Sequence, residues 1–148
     1  MKKDFIRDYA TEMFRQYAAL GKPSTENLKR AITDAVTVSR SHETNALKAL
    51  LDGYETAEKM SAVIDDVSAV EKTMLQLKDA NKEYISRAVV AVYFASPTTP
   101  LHRGDISARV RRFALDLPAS EKQVYHWLRE ARLLCAANRG LRIPASKK

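Results

Sequence analysis

The run RGDISARVRRFALDLPASEKQVYHWLREARLLCAANRG, residues 103–140, decides the fold. Ser120 is followed three residues later by Gln123, the arrangement in which two side chains reciprocally satisfy the free amides at a helix start. A helix is therefore expected from Ser120. Along it Val124, Trp127, Leu128, Ala131, Leu134, Cys135 and Asn138 recur at steps of three and four, which makes one largely apolar stripe. Lys122, Gln123, His126, Arg129 and Arg132 fall on the other face. Upstream, Ile106, Val110, Phe113, Ala114 and Leu117 form a shorter stripe of the same period, with Asp105 placed as its N-cap. Pro118-Ala119 separates the two stripes. Two amphipathic helices joined by a turn of about three to four residues have the form of a helix-turn-helix, whose second helix enters the DNA major groove.

Charge is concentrated on the same segment. The chain of 148 residues carries 25 Lys/Arg and 18 Asp/Glu, a formal net charge of +7. Residues 1–99 hold 14 basic and 14 acidic residues, and residues 100–148 hold 11 basic against Asp105, Asp116, Glu121 and Glu130. The whole excess thus lies on the C-terminal third, as expected of a polyanion-binding module joined to a neutral partner. By position, Lys122, Gln123 and His126 are candidates for base-edge contacts, with Glu121 at the edge and Arg129 one turn further on. Lysine suits the acceptors of guanine and glutamine suits adenine. Arg103, Arg109, Arg111 and Arg112, and further on Arg132, Arg139 and Arg142, are candidates for phosphate. Tyr125 and Trp127 could serve as base-stacking aromatics, but Trp127 lies on the apolar stripe and is read as core; Tyr125 is compatible with either role.

Towards the N-terminus the pattern stays helical. Asp4 is placed to cap a helix through about Leu20, with Phe5, Ile6, Tyr9, Met13, Tyr17 and Leu20 on its apolar face and Gly21 and Pro23 ending it. Ser24 or Thr25 starts a second, with Leu28, Ala31, Ile32, Ala35 and Val36 or Val38 inward and a break near Ser41. Leu47, Leu50 and Leu51 resume an apolar face. From about Glu55 to Lys78, Met60, Val63, Val67, Val70, Met74 and Leu77 follow heptad spacing. That seam serves either a homodimeric coiled coil or packing against the first two helices of the same chain. A further helix runs from Asp79 or Asn81 to Phe94, and Ser96-Pro97 and Pro100 break the chain before the stretch quoted above. No period-two alternation of strand type extends beyond four or five residues, so the expected fold is all-α: a helical bundle with a C-terminal helix-turn-helix. Residues 1–56 are read as a helical dimerisation or partner-binding module and 57–148 as the DNA-binding domain.

Other function classes find little support. His42, His102 and His126 have no metal-ligand spacing, Asp65 and Asp66 are adjacent and so diverge on a helix, and no glycine-rich phosphate loop occurs. No catalytic residue, metal or cofactor is expected. Cys135 is the single cysteine and lies on an apolar stripe, which suits a buried thiol. No apolar run approaches the roughly 18 residues of a membrane span, and Met1-Lys2-Lys3 leads into Asp4, so a cytoplasmic protein without membrane contact is expected.

The segment Phe113-Ala114-Leu115-Asp116-Leu117-Pro118-Ala119-Ser120-Glu121-Lys122-Gln123-Val124-Tyr125 resembles the promoter-reading region 4 of sigma-70 factors, with its pattern apolar-Ala-x-x-Leu-Gly-apolar-Ser-x-x-Thr-Val. Together with the helix ahead of it and the arginine-rich helix after it, residues 60–142 are most similar to phage-borne sigma-like regulators of the ArpU/RinA type. The resemblance implies a transcriptional regulator of prophage origin that binds double-stranded promoter DNA through Ser120, Glu121, Lys122, Gln123 and His126 and touches RNA polymerase. Pro118 stands where the family has glycine, and since proline cannot adopt positive φ the turn must be built differently. Two rival functions remain compatible with the same residues: a DNA-recognition subunit of phage packaging machinery, and a module that binds polymerase or anti-sigma proteins.

Overall fold

A computed structural model describes residues 4–37 and 57–142. Within them the chain forms six helices and no strand: α1 (Phe5–Ala19), α2 (Thr25–Thr37), α3 (Ala57–Asp79), α4 (Glu83–Val92), α5 (Asp105–Asp116) and α6 (Glu121–Arg139). The expected break near Ser41, the apolar face of Leu47, Leu50 and Leu51, and the start of α3's pattern at Glu55 lie outside the described residues.

Most helix ends follow the local chemistry of the sequence. Asp4 accepts from the Arg7 amide at 2.9 Å and Ser24 from the Asn27 amide at 3.1 Å, so each satisfies one of the free donors that begin a helix. The fourth helix starts later than expected, at Glu83. Asn81 instead closes α3: it adopts φ 60°, and the Lys82 amide reaches back to the Leu77 carbonyl at 2.8 Å. Asparagine tolerates that left-handed conformation, so the residue read as a start is a stop. Asp105 is displaced by one position as well. Gly104, at φ 89°, is the N-cap of α5, and the Asp105 carboxylate turns back to accept the His102 amide at 2.7 Å.

Helix α6 is the axle of the bundle, in contact with α1, α3, α4 and α5. Its fully buried Val124, Leu128, Ala131 and Cys135 join Ala10, Met13 and Phe14 of α1, Val70 and Leu77 of α3, and Ile85, Val89 and Val92 of α4 in one core. Burying a valine or leucine side chain completely contributes about 1.5–3 kcal/mol. The N-terminal helix therefore shares its core with the C-terminal segment. On α1 the buried stripe is rotated from the expected one: Ala10, Met13 and Phe14 go in, while Phe5 and Tyr9 are exposed. Phe14 stacks on Tyr93 with ring centroids 5.6 Å apart, and Tyr17 packs on Phe94, so the aromatic end of α4 sets which side of α1 is covered.

The heptad seam of α3 is used inside the chain. Val63 and Val67 close over Leu20 and Leu28 in a second small cluster under α2, and Val70 and Leu77 enter the main core. Two polar links cross from α3 to the last turns of α6. Asn138 donates to Thr73 Oγ1 and to Gln76 Oε1, each at 2.9 Å. Asp66 accepts from Arg139 Nε at 2.6 Å and from the Tyr9 hydroxyl at 2.8 Å, tying three helices together. The bond to Asp66 raises the Arg139 pKa, while burial and the same carboxylate hold the Tyr9 phenol above its ordinary value.

Candidate nucleic-acid interface

The two helices of the opening stretch are joined by residues 117–120. The Leu117 amide bonds the Phe113 carbonyl at 3.0 Å and the Ala119 amide reaches the Ala114 carbonyl at 2.9 Å. Leu117 has φ −91°, and none of the four residues has positive φ. Proline fits this turn because it needs no left-handed residue, and the pairing skips the amide Pro118 lacks. Ser120 then caps α6 in extended conformation, accepting from the Gln123 amide at 3.0 Å. That bond is the serine half of the expected reciprocal pair.

Helix α6 has 19 residues, about 28 Å at 1.5 Å per residue. Its two halves differ. From Ala131 to Ala136 every residue is buried or half-buried against α1, α3 and α4. From Glu121 to Arg129 only Val124 and Leu128 are buried, with Trp127 half-buried and set edge-on to Tyr84 at 5.0 Å. Ser120, Glu121, Lys122, Gln123, His126 and Arg129 are all exposed. At 100° per residue, Lys122, His126 and Arg129 lie within about 60° of one another around the axis, with Gln123 to one side. Glu130, at the margin of that face, is paired with Lys82 of α4 at 2.7 Å. A carboxylate that would repel a polyanion is thus matched by a cation from outside the segment.

The arginines divide into two groups. Arg103, Arg111, Arg112 and Arg142 are exposed, and Arg111 and Arg112 share the outer side of α5 with Leu115. Arg109, Arg132 and Arg139 are half-buried and turned inward. Arg109 Nη1 donates to the Val92 carbonyl at 2.9 Å, Arg132 Nη1 to the Tyr93 hydroxyl at 2.8 Å, and Arg139 pairs with Asp66. Residue type alone could not divide them. Tyr125 is exposed on the rim of a cleft of about 570 Å³ between α1 and the two C-terminal helices.

Cys135 is fully buried, and burial pushes its thiol up to about 12, so it is neutral and unreactive at neutral pH. Among the described residues no cluster of His, Cys, Asp or Glu could hold a metal ion, and no helix is long and apolar enough to cross a membrane. Comparison with protein-family models, with curated proteins and with solved structures finds no match for this chain.

Proposed function

We propose that the protein is a sequence-specific regulator of transcription that reads double-stranded promoter DNA with a helix-turn-helix formed by α5 and α6. The observation that carries this reading is the division of α6 into an exposed, mostly polar N-terminal half and a buried C-terminal half. A helix that enters the major groove must project its first turns clear of its own domain, yet be held rigidly. Lys122, Gln123 and His126 face the base edges, Ser120 and Glu121 sit at the groove's edge, and Arg129 follows one turn on. Arg103, Arg111 and Arg112 meet phosphates. The exposed Arg103, Arg111, Arg112, Lys122 and Arg129 support a polyanion as the partner, since phosphate neutralisation supplies most sequence-independent affinity. The resemblance of residues 113–125 to sigma-70 region 4 supports a promoter as the target and RNA polymerase as a second partner, in a prophage-derived regulator of the ArpU/RinA type.

The reading is tested by selecting fragments of the parent genome with the purified full-length protein, in the presence of excess bulk DNA. A preferred fragment should emerge, and its affinity should fall steeply with salt, by about 0.9 log units per log unit for each phosphate contacted. Binding that does not distinguish any fragment from bulk DNA overturns sequence-specific reading.

A further inference from the structure

Three arginines from three different helices converge on residues 92–99, where α4 ends and the connection to α5 begins. Arg15 of α1 is 5% exposed, and its Nη2 donates to the carbonyls of Ser96 at 3.2 Å, Pro97 at 3.3 Å and Thr99. Arg109 of α5 donates to the Val92 carbonyl, and Arg132 of α6 to the Tyr93 hydroxyl. Among the described residues no carboxylate pairs with any of the three. Tyr93 and Phe94 also pack on Phe14, and Phe94 on Tyr17, with Lys22 Nζ 5.5 Å from the centre of the Phe94 ring. The last carbonyls of a helix carry partial negative charge and lack internal donors, which suits guanidinium groups.

Burying a guanidinium without a carboxylate is costly, and an apolar side chain of similar volume would often serve stability better. What each arginine adds is a directional link, because one guanidinium nitrogen bonds defined oxygens here, Nη2 of Arg15, Nη1 of Arg109 and Nη1 of Arg132, while Nη1 of Arg15 is buried without a hydrogen-bond partner among the described residues. Residues 93–104 carry the chain from the α1–α4 scaffold into α5. The last residue of α4 and this connection therefore take hydrogen bonds from α1, through Arg15, and from α5 and α6, through Arg109 and Arg132.

We propose that Arg15, Arg109 and Arg132 are positioning residues that register α5 and α6 against the end of α4, and so set the angle at which the exposed half of α6 is presented. The inference rests on the DNA-reading function above. It separates these arginines from Arg103, Arg111 and Arg112 by mechanism: one set aims the reader and the other holds phosphate. Base-edge contacts tolerate only about 0.5 Å or 10–20° of error, so loosening the aim costs specificity before it costs bulk affinity.

The test compares Arg15→Met, Arg109→Met and Arg132→Met with Arg111→Met and Arg112→Met in the full-length chain. Affinity for the selected fragment and for bulk DNA is measured across a salt series, and folding is checked by circular dichroism. Each of the first three variants should lower the preference for the selected fragment by about tenfold, which is about 1.4 kcal/mol. Their salt slope should match the parent's. The Arg111 and Arg112 variants should weaken both DNAs alike and reduce the slope by about 0.9 each. Arg109→Lys, which retains a donor for the Val92 carbonyl, should keep the preference, and it carries the test if Arg109→Met does not fold. A slope reduced by about 0.9 in Arg109→Met, or an unchanged preference in all three variants, overturns the assignment. Failure of the parent protein itself to prefer any fragment would count against the DNA-reading function instead.

Discussion

Cys135 reports directly on the buried half of α6, the part that anchors the exposed half to the bundle. Its side chain is fully buried, and burial lifts the thiol from 9.0 to about 12. In the unfolded chain the same thiol ionises at its ordinary value. A folded-state pKa raised in this way contributes stability in full below about pH 9, and that contribution is lost as pH rises towards 12. Over this window the loss accumulates at about 1.4 kcal/mol per pH unit, so by pH 10 it reaches about 1.4 kcal/mol. That is a large share of the 5–15 kcal/mol typical of a domain. Urea unfolding under reducing conditions, followed by Trp127 fluorescence and helical circular dichroism, should show the wild-type midpoint falling between about pH 8 and pH 10. Cys135→Ala should be less stable at pH 7.5, by about 1 kcal/mol for the lost sulfur contacts, yet fall less with pH, so the two curves approach or cross. The phenols of Tyr9 and Tyr17, also raised by burial and nearby carboxylates, are present in both proteins and cancel in the comparison. Parallel pH curves for the two proteins, or rapid modification of native Cys135 by a disulfide reagent at pH 8, would refute the burial argument.

Two further outcomes follow from the same helix. Leu128→Ala empties a fully buried site between the exposed and buried halves of α6 and should lower unfolding free energy by about 2–5 kcal/mol in chemical denaturation. Lys122→Ala and Gln123→Ala remove exposed side chains whose loss leaves no cavity, so they should leave thermal stability nearly unchanged. In a competition assay with single base-pair variants of the preferred fragment, each should erase discrimination of about 1–3 kcal/mol at one position. Retained discrimination at every position would remove these residues from the reading face.

Much of this arrangement was legible in the sequence because it rests on local signals. The caps at Asp4, Ser24 and Ser120, the stop at Gly21, and the apolar period of α3 and α6 each involve residues within one or two turns of each other. Pro118 indicated a turn without positive φ, and the turn is of that kind. The parts that escaped reading depend on distant partners. The rotation of α1's buried face is set by Tyr93 and Phe94, about 80 residues away in sequence, and period alone does not say where a stripe is centred. Arg109, Arg132 and Arg139 look like other surface arginines until Val92, Tyr93 and Asp66 are brought beside them. Arg15 was invisible for the same reason: a cation next to Phe14 is expected to reach solvent, and only the folded connection after α4 offers it carbonyls. At the start of α6, Ser120, Glu121, Lys122, Gln123, His126 and Arg129 are exposed.

The central claim is that the exposed half of α6 reads bases in the major groove. Methylation interference tests it most directly, because the N7 atom of guanine lies in the major groove and serves there as an acceptor. On the preferred fragment, N7 methylation at one or more guanines should abolish binding, and Lys122→Ala should remove the effect of methylation at one of them. A fragment bound equally well with every guanine methylated would contradict the claim.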